Sequence, residues 1–208
     1  MLSGDPSNTL HGTPPTGFTL VEVMVAVLIA AILLAVAAPA MQNLLAANQL
    51  TALTDSFAAA LSEARSEAAK LSAPVALTTA GGVNWGSGWT MFVDGADLNG
   101  VQDSGATPPE VTLRTGRALP ASYTLTATGA AATSFADKFW FDATGRLLNN
   151  TGGQAVAPAQ FQICQGGGPP TGAARMVTVS VSGRVRISQN NSSGQPLDDS
   201  GTPITTCP

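Results

Sequence analysis

Residues 17–41 read GFTLVEVMVAVLIAAILLAVAAPAM. Within this stretch only Thr19 and Glu22 carry polar side chains, and Val23 to Met41 is a run of 19 residues without a charge. That is close to the roughly 20 residues a helix needs to cross a bilayer. A spanning helix explains every residue here except Glu22, because a carboxylate inside a bilayer helix is costly and normally functional. Upstream, residues 1–17 are polar and turn-rich and contain no Lys or Arg. A secretory signal peptide would instead carry positive charge before a shorter apolar core and a small-residue cleavage site after it. The chain therefore reads as a leader over 1–17 and a transmembrane helix over 18–41.

The helical pattern continues beyond Pro39. Leu50, Leu53, Phe57, Leu61, Ala64, Ala68 and Leu71 recur at spacings of three and four, and Glu63, Arg65, Glu67 and Lys70 take the other faces. Pro74 stops the pattern, so 42–73 reads as an amphipathic continuation of one long helix. From residue 74 to 208 the signals are those of strands and turns. Strand candidates are Trp89 to Val93, Glu110 to Arg114, Ser122 to Thr126, Phe139 to Phe141, Gln160 to Cys164 and, longest, Met176 to Ile187. The class is α+β.

The hexapeptide Gly17-Phe18-Thr19-Leu20-Val21-Glu22, with the apolar run behind it, resembles the processing site of type IV prepilins and type II secretion pseudopilins. The resemblance implies a type IV pilin fold, a long N-terminal helix packed on an antiparallel β-sheet domain. It further implies cleavage after Gly17 by a prepilin peptidase, methylation of Phe18, a role for Glu22 in assembly, and a helix bend at Pro39. The implied location is a single pass through the bacterial inner membrane with a periplasmic domain, followed by a filament at the cell surface. Its partners are then the inner membrane and other pilins or pseudopilins. The physics agrees, since a carboxylate among apolar helices needs a partner, and the free α-amino group of Phe18 on a neighbouring subunit can supply it.

Composition limits the chemistry. Charged residues make up 11% of the chain, against roughly 25% in soluble domains, which suits an exported strand-rich domain. The single histidine, His11, falls in the leader. A mature chain without histidine cannot activate a nucleophile by the Ser-His or Cys-His route, so the chain reads as no enzyme and as needing no cofactor. Cys164 and Cys207 are an even pair in an exported chain, which favours a disulfide over two free buried thiols.

Two further blocks narrow the resemblance. Trp85 to Asp94, WGSGWTMFVD, resembles the W-x-x-G-W-x-x-F-x-D block of the FimT/GspH family. Gly183-Arg184-Val185-Arg186 resembles the G-R-x-R motif of FimT-type minor pilins, in which it implies non-specific DNA binding during natural transformation. Alternation across Met176 to Ile187 puts Arg184 and Arg186 on one solvent face, about 6.6–6.8 Å apart, a spacing close to that of consecutive phosphates. No acidic residue occurs between Ala143 and Leu197, a window that holds Arg146, Arg175, Arg184 and Arg186. The motif therefore makes Arg184 and Arg186 the centre of a DNA site, with Arg175 and Arg146 flanking it and Gly183 allowing close approach. The competing reading is a solvated strand face on a GspH-type pseudopilin, a structural tip subunit of a type II secretion system that binds no DNA.

Two other constellations invite a functional reading. Asp94, Asp97, Asn99 and Asp103 invite a calcium reading, but EF-hand spacing would place Gly95 and Ala106 at ligand positions, so a solvated turn-rich loop without metal is expected. Trp85, Trp89 and Trp140 could stack bases, but core packing is the commoner use of such residues.

Overall fold

The structure, a computed structural model, describes residues 17–82, 84–95, 97–103, 105–107, 109–166 and 173–207. Residues 1–16, which hold all of the expected leader except Gly17, lie outside the described residues. The chain divides into two compact units, Met1–Asn43 and Leu44–Pro208. Helix α1, Leu20–Leu71, contributes to both and carries Pro39 inside it. Its end is built as a Schellman cap. Ser72 adopts a left-handed φ of 51° and the Ala73 amide donates to the Ala68 carbonyl at 3.2 Å, with Pro74 following.

Among the described residues of the second unit, nine strands form two sheets. The five-stranded sheet runs in the order β3 (Thr112–Gly116), β2 (Asn84–Val93), β1 (Val75–Gly81), β5 (Lys138–Phe141), β6 (Leu147–Leu148). The four-stranded sheet runs β4 (Tyr123–Thr128), β7 (Ala159–Gln165), β8 (Ala174–Val179), β9 (Val185–Ile187). Every pairing is antiparallel. The expected long strand Met176–Ile187 is instead the hairpin β8–β9, and the strand expected from Glu110 begins at Thr112.

Both sheets share one core with the C-terminal half of the helix. Leu50, Phe57, Leu61, Ala64 and Ala68 meet Val75, Leu77, Trp85, Met91 and Phe139 from the first sheet and Leu125, Phe161, Ile163, Val177 and Val179 from the second. Phe57 stands 6.3 Å from Trp85 and 5.3 Å from Phe161, edge to face. The Trp85 indole nitrogen donates to the Phe135 carbonyl at 2.9 Å, which satisfies its one polar atom inside the core. Trp89 and Trp140 are buried as well, so none of the three tryptophans offers a face for bases.

The outer faces are covered too. Ala76, Phe92, Trp140 and Leu148 form a small cluster on the other side of the first sheet, with Leu98 of the loop after β2 packed over it. On the second sheet Gln160, Gln162 and Cys164 point outward from β7 and are nevertheless buried. The C-terminal tail covers Gln162 and Cys164. Gln162 Nε2 donates to the Thr206 carbonyl at 2.8 Å, and Cys164 is joined to Cys207 in a disulfide.

The tail from 188 to 207 has few apolar side chains, so the disulfide should carry much of its attachment. Replacing both cysteines by Ser is expected to cost about 2–4 kcal/mol, lowering Tm by roughly 4–16 °C. Limited proteolysis should then cut the tail before the sheets; unchanged Tm and unchanged tail protection would contradict this role.

Candidate functional site

The N-terminal part of α1 begins with a cap. Thr19 Oγ1 accepts a hydrogen bond from the Glu22 amide at 3.2 Å, the geometry of a Thr-x-x-Glu helix start. From there every residue to Leu44 is exposed, including Phe18, Leu20, Val21, Met24, Leu28, Leu33 and Leu44. A helix apolar on all its faces is a helix meant to be surrounded by lipid or by other helices. Glu22 is the one ionisable group in this stretch, also exposed, with no ion-pair partner among the described residues.

The arginines are arranged differently from a single strand face. Residues 180–184 close the β8–β9 hairpin. The Gly183 amide donates to the Ser180 carbonyl at 2.7 Å, the Ser180 amide to the Arg184 carbonyl at 2.9 Å, and the Arg184 amide to Ser180 Oγ at 3.0 Å. Gly183 has a φ of 80°, the left-handed conformation that ends a three-residue hairpin loop. Its closeness to a partner is internal to the chain. A Cβ on Gly183 would lie 1.8 Å from the Gly145 carbonyl oxygen, the same oxygen that accepts from Arg65 Nε at 3.1 Å. Gly183 is thus a packing residue, and the expectation that it lets DNA approach gives way to this contact.

Arg184 and Arg186 are exposed as the alternation implied. Arg186, opposite Thr178 on β8, forms an ion pair with Asp199 of the tail. Arg146 is exposed beside Gly145, and the Leu147 amide donates to the Val181 carbonyl at 3.1 Å, so its turn adjoins the hairpin loop that carries Arg184. The structure therefore brings Arg146 and Arg184 to the two sides of one inter-loop contact. Arg175 is not brought in. It pairs with Ile163 near the start of β8, three residues (about 10 Å) from Thr178, and faces the opposite side of the sheet from Arg186.

Asp142 organises the Arg146 turn. Burial disfavours its ionised form, but the Thr144 hydroxyl and the Arg146 and Thr144 amides donate to it and leave its pKa below the usual carboxylate value. Its contribution is present above the unfolded-state pKa and is lost as the pH falls through the lowered folded value.

The acidic loop after β2 is not simply solvated. Asp94 is buried, with Oδ2 accepting from Trp140 Nε1 at 2.7 Å and from the Gly100 amide at 2.8 Å. Asp97, Asn99 and Asp103 are exposed, but Glu110 is buried and converges on Asp94 and Asp97. Burial pushes the Glu110 carboxyl above its ordinary pKa, the Asp103 amide pulls it partly back, and the charge of Asp94 pushes it up again. Neither Glu110 nor Asp199 is detectable as a site residue from local spacing, because each meets its partners only after the chain has folded back.

These features match known proteins. The family described as type II transport protein GspH matches residues 53–183, well over half of the chain. The chain belongs to the GspH family. The prokaryotic N-terminal methylation motif matches residues 16–38, which include the Gly17-Phe18 junction and Glu22. The crystal structure of the type IV minor pilin FimU of Pseudomonas aeruginosa superposes with a TM-score of 0.50 at 25% identity, covering 68% of this chain and 90% of that one. A second crystal form of the same protein gives a TM-score of 0.45 at 25% identity, covering 69% and 90%. Comparison with curated proteins gives no match. The fold is that of type IV pilins, and this GspH-family chain is a structural pilin-like subunit.

The Gly183 contact yields a test. Gly183→Ala combines a left-handed φ with a clash against backbone, and should cost about 2–3 kcal/mol or more, lowering Tm by roughly 4–12 °C. Arg184→Ala in the same turn should leave Tm unchanged. Equal Tm values for Gly183→Ala and the parent would contradict the packing role.

Proposed function

We propose that the chain is a minor type IV pilin, held in the inner membrane by residues 18–41 until it is assembled, and that its arginine edge contacts DNA during uptake. The observation that carries the filament reading is the exposed apolar run from Phe18 to Met41, broken only by Thr19 and the lone carboxylate of Glu22. In this reading prepilin peptidase cuts after Gly17 and methylates Phe18, and Glu22 sets register by pairing with the α-amino group of a neighbouring Phe18. Both the methylation-motif match and the similarity to a type IV minor pilin support it.

The DNA reading rests on Arg184 and Arg146, exposed on adjoining loops and without ion-pair partners among the described residues. Guanidinium groups match phosphate oxygens in a bidentate way and bind without reading sequence. Arg186 joins them when released from Asp199. That ion pair is half-exposed and worth no more than about 1 kcal/mol, so phosphate can compete for it. With two or three contacts per subunit, binding is weak and salt-sensitive, and several subunits in a filament supply useful avidity.

The test is a gel shift with a short duplex and the full chain in detergent at rising salt. The log–log slope should be roughly −2 to −3. Arg184→Gln with Arg186→Gln should abolish the shift, whereas Asp199→Asn, which frees Arg186, should strengthen it. A parent protein that does not bind, or a double variant that binds like the parent, would overturn the DNA reading and leave a GspH-type pseudopilin of a type II secretion system.

A further inference from the structure

On the outer face of the five-stranded sheet, Asp94 is 0% exposed and Glu110 is 3% exposed. One oxygen of each is engaged: Asp94 Oδ2 by Trp140 and Gly100, and Glu110 Oε2 by the Asp103 amide at 2.7 Å. The other two, Asp94 Oδ1 and Glu110 Oε1, are buried with no hydrogen-bond partner. One oxygen from each of Asp94, Glu110 and the exposed Asp97 lies within 4.8 Å of the others. Like charges so placed repel, and buried polar atoms need partners, so the cluster calls for a positive occupant. Lys138 does not supply it, because its ammonium donates to the Asn99 carbonyl at 2.7 Å and lies 5.9 Å from the Trp140 ring centre. Among the described residues no ion pair reaches any of the three carboxylates.

We propose that Asp94, Asp97 and Glu110 bind a calcium ion that clamps the loop after β2 over Phe92 and Trp140. The donors are all oxygen, which selects a hard cation. Ligands at 2.3–2.6 Å from calcium can stand up to about 4.6–5.2 Å apart, and the observed spread fits within that. Magnesium, at 2.0–2.1 Å, requires a tighter and near-octahedral set. Counted from Asp94 or from Asp97, Glu110 lies beyond the twelfth position, so EF-hand spacing that starts at either ligand does not find it. In an exported protein the expected Kd is on the order of 10⁻⁴–10⁻³ M.

The experiment uses the full chain in detergent micelles, stripped with a chelator, with calcium titrated calorimetrically and thermal unfolding followed by tryptophan near-UV signals. Calcium should bind saturably and, at ten times its Kd, raise Tm by about 3–6 °C, more than magnesium at equal concentration. Asp97→Asn, whose side chain is exposed, should keep the chelated Tm and weaken calcium binding at least tenfold. No calcium heat and no Tm shift up to about 10 mM, ten times the weakest expected Kd, would overturn the proposal, as would an undiminished response in Asp97→Asn. A proton shared between Asp94 and Glu110 is the competing occupant. A Glu110→Gln variant that melts at or above the parent, with neither protein responding to calcium, would establish that proton and refute the ion.

Discussion

The ring of Phe57 packs helix α1 against aromatic side chains of both sheets at once. It packs edge to face against Trp85 from the first sheet and Phe161 from the second, and those two rings are themselves 5.3 Å apart. Phe139 completes the group, 5.4 Å from Trp85 and 5.5 Å from Phe161. Truncating such a buried aromatic to Ala costs about 3–5 kcal/mol, a large share of the 5–15 kcal/mol that holds a domain folded. Neighbouring residues are shaped to fit. Gly116 has no side chain because a Cβ there would lie 2.1 Å from the Trp89 ring. The tryptophan block therefore reads as core architecture first.

With the inner faces closed by the helix, the outer faces are covered by irregular chain. The loop after β2 covers Phe92 and Trp140 and brings the acidic residues together. The tail covers the four-stranded sheet through Cys207 and through Gln162, and sets Asp199 against Arg186. Both covers consist of irregular chain on a rigid scaffold, the usual place for binding residues. The N-terminal stretch is the opposite case, a regular helix whose apolar surface is exposed among the described residues.

The N-terminal motif, the helix and the α+β class were legible because each rests on local pattern: an apolar run, a period near 3.6, and Pro74 as a stop. The β8–β9 hairpin was not. Its register pairs Val177 with Ile187 and Val179 with Val185, so odd-numbered residues stay on one face of both arms. The apolar alternation therefore passes through the turn unbroken, and Ser180 to Gly183 read as strand. Solvent exposure of Arg184 and Arg186 survived that error, because the parity was right. The partners of Glu110, Gly183 and Arg186 were illegible for a different reason: Asp94, Gly145 and Asp199 lie in separate turns or loops that only the folded chain brings beside them.

The central claim, that this GspH-family chain works as a processed filament subunit, is tested most directly by the mass of its N-terminus. Protein recovered from sheared filaments should begin at Phe18 and carry one methyl group on its α-nitrogen. Filament-associated protein that retains residues 1–17 would contradict the account.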